Sequence, residues 1–471
     1  MVIFSACAPL ASVPDLSLRV SGVEAPEKWR LYAGVTTEIP DLAHWWARFN
    51  DAKLDALIGR GLENAPDVRL AAARLRQARA SRELAASGDY PTLGASARAS
   101  RNPGGDDGGK TLYNAGFDAS WEVDIFGRAR HEVAAADADL AASAANLEAA
   151  QVTLAAEIAR DYVQYRSVQT RLAIAAKNAQ SQEETLEITR WRAAAGLVTE
   201  LDVEQARGQL AQTRAALPAL ENERVASLHR LDALLGLTPG SLAPELDPQE
   251  ALPQASLQIA IDIPADTLAR RPDVRAARET LRAESERLYA RGAERFPNLT
   301  LSGSFGWQTL SSAALGGSDS IARSLAATLA ATLFDGGRLQ SRIDLQDAAR
   351  EQALVGYEQS LLSALTEVEN ALSALASGQR RASSYAEAAE AAQNAATLSG
   401  QLYQAGLTDF QQVLESQRAL FFAEDNLIAA KSDTLTALIA LYKALGGGWE
   451  KSATTTINEP EHANETTPNP S

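Results

Sequence analysis

One cysteine, Cys7, stands among 471 residues, which excludes a disulfide framework. Aromatic residues are only 6% of the chain, while alanine abounds. So few large side chains suit long helices packed close together better than a thick globular core. No run of about 18 apolar residues occurs, so the chain offers no candidate transmembrane helix. Basic residues are outnumbered, 44 Lys and Arg against 60 Asp and Glu, for a formal net charge of −16 and a pI near 4.9. That balance argues against nucleic-acid binding, which leans on basic patches. Histidine is scarce: His44, His131, His229 and His462 are scattered, with no HxxxH pair and no Cys partner. No metal site is expected, and no cofactor and no enzymatic activity, since no catalytic constellation appears.

What is present is a chain that contains itself twice. Pro66-Asp67-Val68-Arg69 recurs as Pro272-Asp273-Val274-Arg275, and Tyr90-Pro91-Thr92-Leu93 recurs at the same offset as Phe296-Pro297-Asn298-Leu299. Phe126-Gly127-Arg128 recurs, a few residues further on, as Phe334-Asp335-Gly336-Gly337-Arg338, and Ala195-Gly196-Leu197 as Ala405-Gly406-Leu407. A unit this long is no solenoid repeat of about 20–50 residues. It predicts a duplicated half-molecule about a pseudo-twofold axis.

Downstream of each Tyr/Phe-Pro landmark the period switches to two. Over 113–123 the odd positions are Tyr113, Ala115, Phe117, Ala119, Trp121 and Val123, against Asn114, Gly116, Asp118, Ser120 and Glu122. The stretch 299–307 repeats the pattern with Leu299, Leu301, Phe305 and Trp307. Residues 92–100 and 321–333 alternate more weakly, and Arg323 is off pattern. Each segment has about the length of a tilted membrane strand. A soluble antiparallel sheet with one wet face gives the same alternation. Trp121 and Trp307, on the apolar faces near strand ends, fit interfacial aromatics and favour the membrane. Open strand edges cannot be satisfied in lipid, and four strands cannot close a barrel. Three copies would give 12 strands around a lumen lined by the Ser/Thr/Asn face.

Two stretches, 128–192 and 338–403, read as helices about 95–100 Å long at 1.5 Å per residue, with near-heptad apolar spacing. Shorter helices flank them at 66–89, 199–235, 272–295 and 409–445. Two short helices stacked end to end match one long helix and can lie antiparallel to it. Gly104-Gly105-Asp106-Asp107-Gly108-Gly109-Lys110-Thr111 matches a P-loop pattern, but a strand follows where a helix is required; it reads as the loop between the first two strands. Val2-Ile3-Phe4-Ser5-Ala6-Cys7 is an apolar run, two small residues and Cys, as in a bacterial lipobox; a free thiol near a frayed end is the plainer alternative.

Cys7, Arg271-Pro272-Asp273-Val274-Arg275, Trp121-Glu122-Val123-Asp124-Ile125-Phe126-Gly127-Arg128, Leu333-Phe334-Asp335-Gly336-Gly337-Arg338 and Ala444-Leu445-Gly446-Gly447-Gly448-Trp449 together resemble the outer-membrane efflux lipoproteins of the TolC superfamily, NodT/OprM type. The resemblance spans about residues 41–449. It implies an α+β fold: a homotrimer whose long helices form a periplasmic α-barrel and whose four strands per subunit join a 12-stranded transmembrane β-barrel. It implies a passive duct, lipid-anchored at Cys7 and set in outer-membrane lipid. It also implies a periplasmic adaptor and an inner-membrane transporter of the resistance-nodulation-division type as partners.

By the resemblance, the helix turns at Gly196, Leu197, Gly406 and Leu407 form the periplasmic tip that meets the adaptor. Asp202, Tyr403 and Glu415 match positions that form an iris-like gate. Thr408 and Gln412 stand where some members carry a locking Arg and an Asp, so hydrogen bonds and a Glu415 ring are expected to replace that lock. Asp202 and Glu415 also fit acids favoured by the dipole at a helix start. Two other functions fit parts of the pattern: an exit duct for type I protein secretion, and a pore-free coiled-coil periplasmic lipoprotein.

The expected organisation is a signal and lipobox remnant at 1–7 and an N-terminal periplasmic (equatorial) segment at 8–65. A first repeat follows at 66–240 with strands 91–102 and 112–123, a linker at 241–271, and a second repeat at 272–449 with strands 297–309 and 321–334. A disordered polar tail takes 450–471.

Overall fold

The computed structural model describes Trp29 and residues 42–101, 111–256 and 264–448. Cys7, the loop 102–110 and the tail 450–471 lie outside the described residues. A 3-10 turn, Trp45–Phe49, leads into α1 (Ala52–Asn64). The first half continues with α2 (Pro66–Ser87), β1 (Thr92–Arg101), β2 (Thr111–Val123), α3 (Arg128–Ala194) and α4 (Glu200–Leu234). Two short helices, α5 (Ala243–Leu246) and α6 (Pro264–Arg270), follow. The second half repeats the order: α7 (Pro272–Ala293), β3 (Asn298–Thr309), β4 (Ile321–Ala330), α8 (Arg338–Gln404) and α9 (Phe410–Ala444). The halves match in length as well as in order: α2 and α7 have 22 residues each, α3 and α8 have 67, α4 and α9 have 35.

Local chemistry explains these boundaries. Pro66 and Pro272 sit at the first helical position, where the missing N–H costs nothing and the fixed φ suits the helix. Asp51 caps α1 by accepting from the backbone N–H groups of Lys53 and Leu54, and Asp409 caps α9 by accepting from Gln412. The long helices bury small residues: Ala135, Ala138, Ala142 and Ala145 all lie inward on α3. Such side chains let α7 and α2 approach α3 closely.

Two details depart from the sequence reading. The last strand ends at Ala330, short of 334, and Leu333 and Phe334 stand almost fully exposed beyond it. Asp335 explains the break. Its carboxylate accepts from the backbone N–H groups of Gly337 and Leu339 and turns the chain into α8. The stretch 241–271, read as a linker, carries α5 and α6.

The four strands form one antiparallel sheet in the order β1-β2-β3-β4. Register pairs odd with odd throughout: Ala95 faces Phe117, Phe117 faces Phe305, and Phe305 faces Arg323. The main core lies where the 3-10 turn and α1 meet the middle of α3 and α8 and the C-terminal ends of α4 and α9. There Trp45 is fully buried and stacks on Tyr442 at 5.1 Å.

Candidate functional site: the sheet and the helical tip

Because register preserves parity, the alternation along each strand becomes a property of the whole sheet. One face carries Leu93, Phe117, Trp121, Phe305, Leu325 and Leu329, all exposed in the single chain. The other carries Ser96, Asp118, Ser302, Ser304 and Ser324, linked by hydrogen bonds from Ser96 to Asp118 at 2.9 Å and between Ser304 and Ser324 at 2.8 Å. Trp121 lies near the helix end of β2 and donates its indole N–H to the Asp89 carbonyl at 2.9 Å. Trp307 lies near the loop end of β3, edge-on to Phe305 at 6.2 Å. The two tryptophans therefore mark opposite rims of the apolar face. β1 and β4 form the two edges of the sheet.

At the junction of sheet and helices, Phe126 stacks on Phe296 at 4.9 Å, joining equivalent points of the two halves. Burial raises the Asp124 carboxyl, but the backbone N–H groups of Arg130 and Ala129 outweigh it and leave the group below its usual range. Asp335 is also held low, first by the Leu339 backbone N–H.

At the far end of the helices the two turns are built alike. Gly196 and Gly406 have φ of +73° and +75°, which only glycine adopts freely. Leu197 N–H donates to the Arg192 carbonyl and Leu407 N–H to the Leu402 carbonyl, both at 2.9 Å. This is the left-handed helix stop that satisfies otherwise orphaned carbonyls. Leu197 and Leu407 both project into solvent, joined by Trp191 and Leu201.

The three gate positions are placed differently from one another. Asp202 is bound up in a capping box. It accepts from Thr199 N–H and Oγ1 at 2.9 and 2.8 Å, while its own N–H donates to Thr199 Oγ1. Tyr403 is buried in the tip core against Phe410, at 5.6 Å. Glu415 is exposed and accepts from Gln411 at 3.1 Å.

The sequence reading missed the links that hold the two helical hairpins together. From Arg171 to Arg192, every seventh residue of α3 reaches the second half. Arg171 makes a two-point bond to Asp425, at 2.7 and 3.2 Å. Asn178 donates to Glu424 at 3.1 Å, and Thr185 accepts from Gln417 at 3.0 Å. Arg192 donates to the Tyr403 carbonyl and lies over the Tyr403 ring at 4.4 Å. Spacing of seven was visible in the sequence, but the partners on α8 and α9 were not.

Nearer the sheet, Arg166 is fully buried and donates to Gln169, to the Leu246 and Pro248 carbonyls and to Glu250. Arg271 donates to the Ala444 carbonyl at 2.9 Å, and to Asp273 and Glu367. Burial pushes the Asp273 carboxyl up, yet the Arg271 guanidinium more than compensates and holds it below the usual value. Among the described residues no group of His, Cys, Asp and Glu is arranged to hold a metal, and no helix is long and apolar enough to cross a membrane. A cavity of about 620 Å³ between residues 251–255 and α8 and α9 has a single charged side chain, Lys431, in its wall.

The family described as outer membrane efflux protein matches residues 57–237 and 263–447, one match to each half. The chain belongs to this family. It is 33% identical over 445 residues to the pyoverdine export outer membrane protein OpmQ of Pseudomonas aeruginosa, covering 91% of this chain and 92% of that one. It is 30% identical to the toluene efflux pump outer membrane protein TtgI of Pseudomonas putida, over 86% of this chain and 87% of the other. Among solved structures, the outer-membrane channel OprN superposes with a TM-score of 0.86 at 34% identity, covering 94% and 99% of the two chains. The open state of the Neisseria gonorrhoeae MtrE outer membrane channel superposes at 0.81 with 26% identity, covering 91% and 96%. The chain is thus an efflux channel of the outer membrane and not an enzyme.

Proposed function

We propose that three copies of the chain close into one conduit, a 12-stranded β-barrel continued by a periplasmic α-barrel, that passes small molecules outward. The observation that carries this reading is the four-stranded sheet, with two unpaired edges and an uncovered apolar face. Neither is stable in lipid unless the edges close. In this reading Trp121 and Trp307 sit at the two membrane interfaces. Cys7 carries the lipid anchor. The tip turns at Gly196, Leu197, Gly406 and Leu407 meet a periplasmic adaptor, which couples the duct to an inner-membrane transporter of the resistance-nodulation-division type. Relatives named for pyoverdine and for toluene leave the cargo to be set by that transporter.

The gate opens at the tip. Three Glu415 carboxylates near the axis repel one another, favouring cation binding or opening. Tyr403 acts from inside the hairpin core, through Arg192, and Asp202 holds the start of α4. Planar-bilayer conductance of the purified protein, with Glu415→Ala in parallel, tests this. Small discrete wild-type channels that change in the variant support duct and gate together. Channels unchanged in the variant move the gate elsewhere. Folded, bilayer-inserted protein without channels removes the pore.

A further inference from the structure

The halves are built alike, so a contact between them inside one chain has a counterpart across the pseudo-twofold axis. α7 of the second half packs along α3 of the first. The counterpart is α2 on α8, yet within one chain α2 packs along α3 and has no comparable packing on α8. Shared motifs fix the equivalences: Arg69 corresponds to Arg275, and Arg128, which starts α3, to Arg338, which starts α8.

Equivalent positions differ sharply in exposure. On α7, Ala276 and Ala290 are 6% and 2% exposed, while Leu70 and Leu84 at the matching places on α2 are 50% and 75% exposed. On α3, Ala135, Ala145 and Val152 are 3%, 1% and 5% exposed; their matches on α8, Leu345, Val355 and Leu362, are 74%, 44% and 52% exposed. The positions buried between α7 and α3 thus carry larger apolar side chains on α2 and α8, and these face outward.

Charge fits the same register. Arg275 on α7 donates to Glu148 on α3 at 2.5 Å. The counterparts are Arg69 on α2 and Glu358 on α8, and among the described residues neither has a charged partner in its own chain. α2 runs towards the sheet and α8 away from it, so a step of seven residues on each brings Arg76 opposite Glu351. Both are exposed. In contrast, Arg278, Arg282, Arg287 and Arg291 on α7 all pair within the chain.

We propose that these two faces are the seam between successive copies. α2 of one protomer lies antiparallel along α8 of its neighbour, Arg69 pairs with Glu358 and Arg76 with Glu351, and Leu70 and Leu84 close on Val355 and Leu345. This rests on the trimeric reading above and gives it a residue-level interface. The surface is heterologous, head to tail, the type that closes into a ring.

Charge reversal tests it by native mass spectrometry of detergent-extracted protein. Arg69→Glu and Glu358→Arg should each lower trimer recovery about tenfold at low ionic strength, with both together restoring it. A second variant carries Arg69→Cys and Glu358→Cys. With a short bismaleimide it should give dimers and trimers on denaturing gels, where either single-cysteine change gives neither. Trimeric wild type, with trimer recovery unaffected by either reversal and no cross-linking between copies, would overturn the seam and leave the duct standing. Wild-type protein that is monomeric in the membrane would overturn both.

Discussion

Arg166, near the middle of α3, is fully buried, lies over Tyr162 and donates to two backbone carbonyls, an amide and a carboxylate. Arg192, at the end of the same helix, is half-buried, leaves its Nε without a partner, and holds the second hairpin through one carbonyl and one ring face. The glycines differ in the same way. At the equator, the core around Trp45 and Tyr442, a Cβ on Gly447 would sit 2.8 Å from the Leu42 carbonyl and 3.1 Å from Trp45. At the tip, a Cβ on Gly196 would meet nothing within 4 Å. The equator is close-packed around Trp45; the tip is tied by single, separable links. The gate proposed at the tip fits this asymmetry, because local opening draws on the regions of lowest stability.

The strongest way to break the comparison is Arg166→Ala. It strands the Gln169 side-chain oxygen and the Pro248 carbonyl, leaves the Leu246 carbonyl with Gln169 and Glu250 with Lys53, and should cost about 3 kcal/mol. Thermal unfolding in detergent would show a large drop in Tm, and an unchanged Tm would refute the clasp. Next is Gly447→Ala, where overpacking against Leu42 and Trp45 should cost about 1–3 kcal/mol. Gly196→Ala, strained only by its positive φ, should cost about 1 kcal/mol. If the two glycine variants unfold together, equator and tip are equally tight and the contrast fails.

Acid sharpens the contrast further. Asp273 is held below its ordinary 3.8 by Arg271, so it contributes stability at neutral pH. That contribution is complete above the unfolded value and is lost as pH falls through the lower folded one. Urea midpoints measured between pH 5 and 3 should therefore fall more for wild type than for Asp273→Asn. The smallest stability effect belongs to Arg192→Gln, which should shift Tm by no more than a few degrees while raising single-channel conductance. A lower conductance would place the closing contact elsewhere.

The strands were readable because their period of two decides burial. Once odd pairs with odd, Phe117 and Trp121 fall on one face and Asp118 and Glu122 on the other. The long helices were readable because nothing interrupts them. The clasps were not. Arg166 lies in the mixed stretch Val163-Gln164-Tyr165-Arg166-Ser167-Val168, and its acceptors include carbonyls, which no side-chain pattern marks. At the tip, position in the family pointed to Asp202, whereas its nearest partner is Thr199, three residues away, in a pattern that local chemistry alone specifies. Tyr403 could not be told from a surface tyrosine until α9 supplied Phe410 and α3 supplied Arg192.

The matched 67-residue lengths of α3 and α8 set a reach as well as a repeat. Both helices start at the sheet and both end at a glycine turn, so the two turns of each chain fall at one distance from the sheet. In the conduit proposed above, the chain would work as a paired ruler for the gap the duct crosses. Adding one heptad to both long helices, with the same addition in α4 and α9, would extend the duct by about 10.5 Å and keep the end level. Adding it to one half alone would leave the mouth slanted, and any coupling to a flat-faced partner would fail before the barrel itself did.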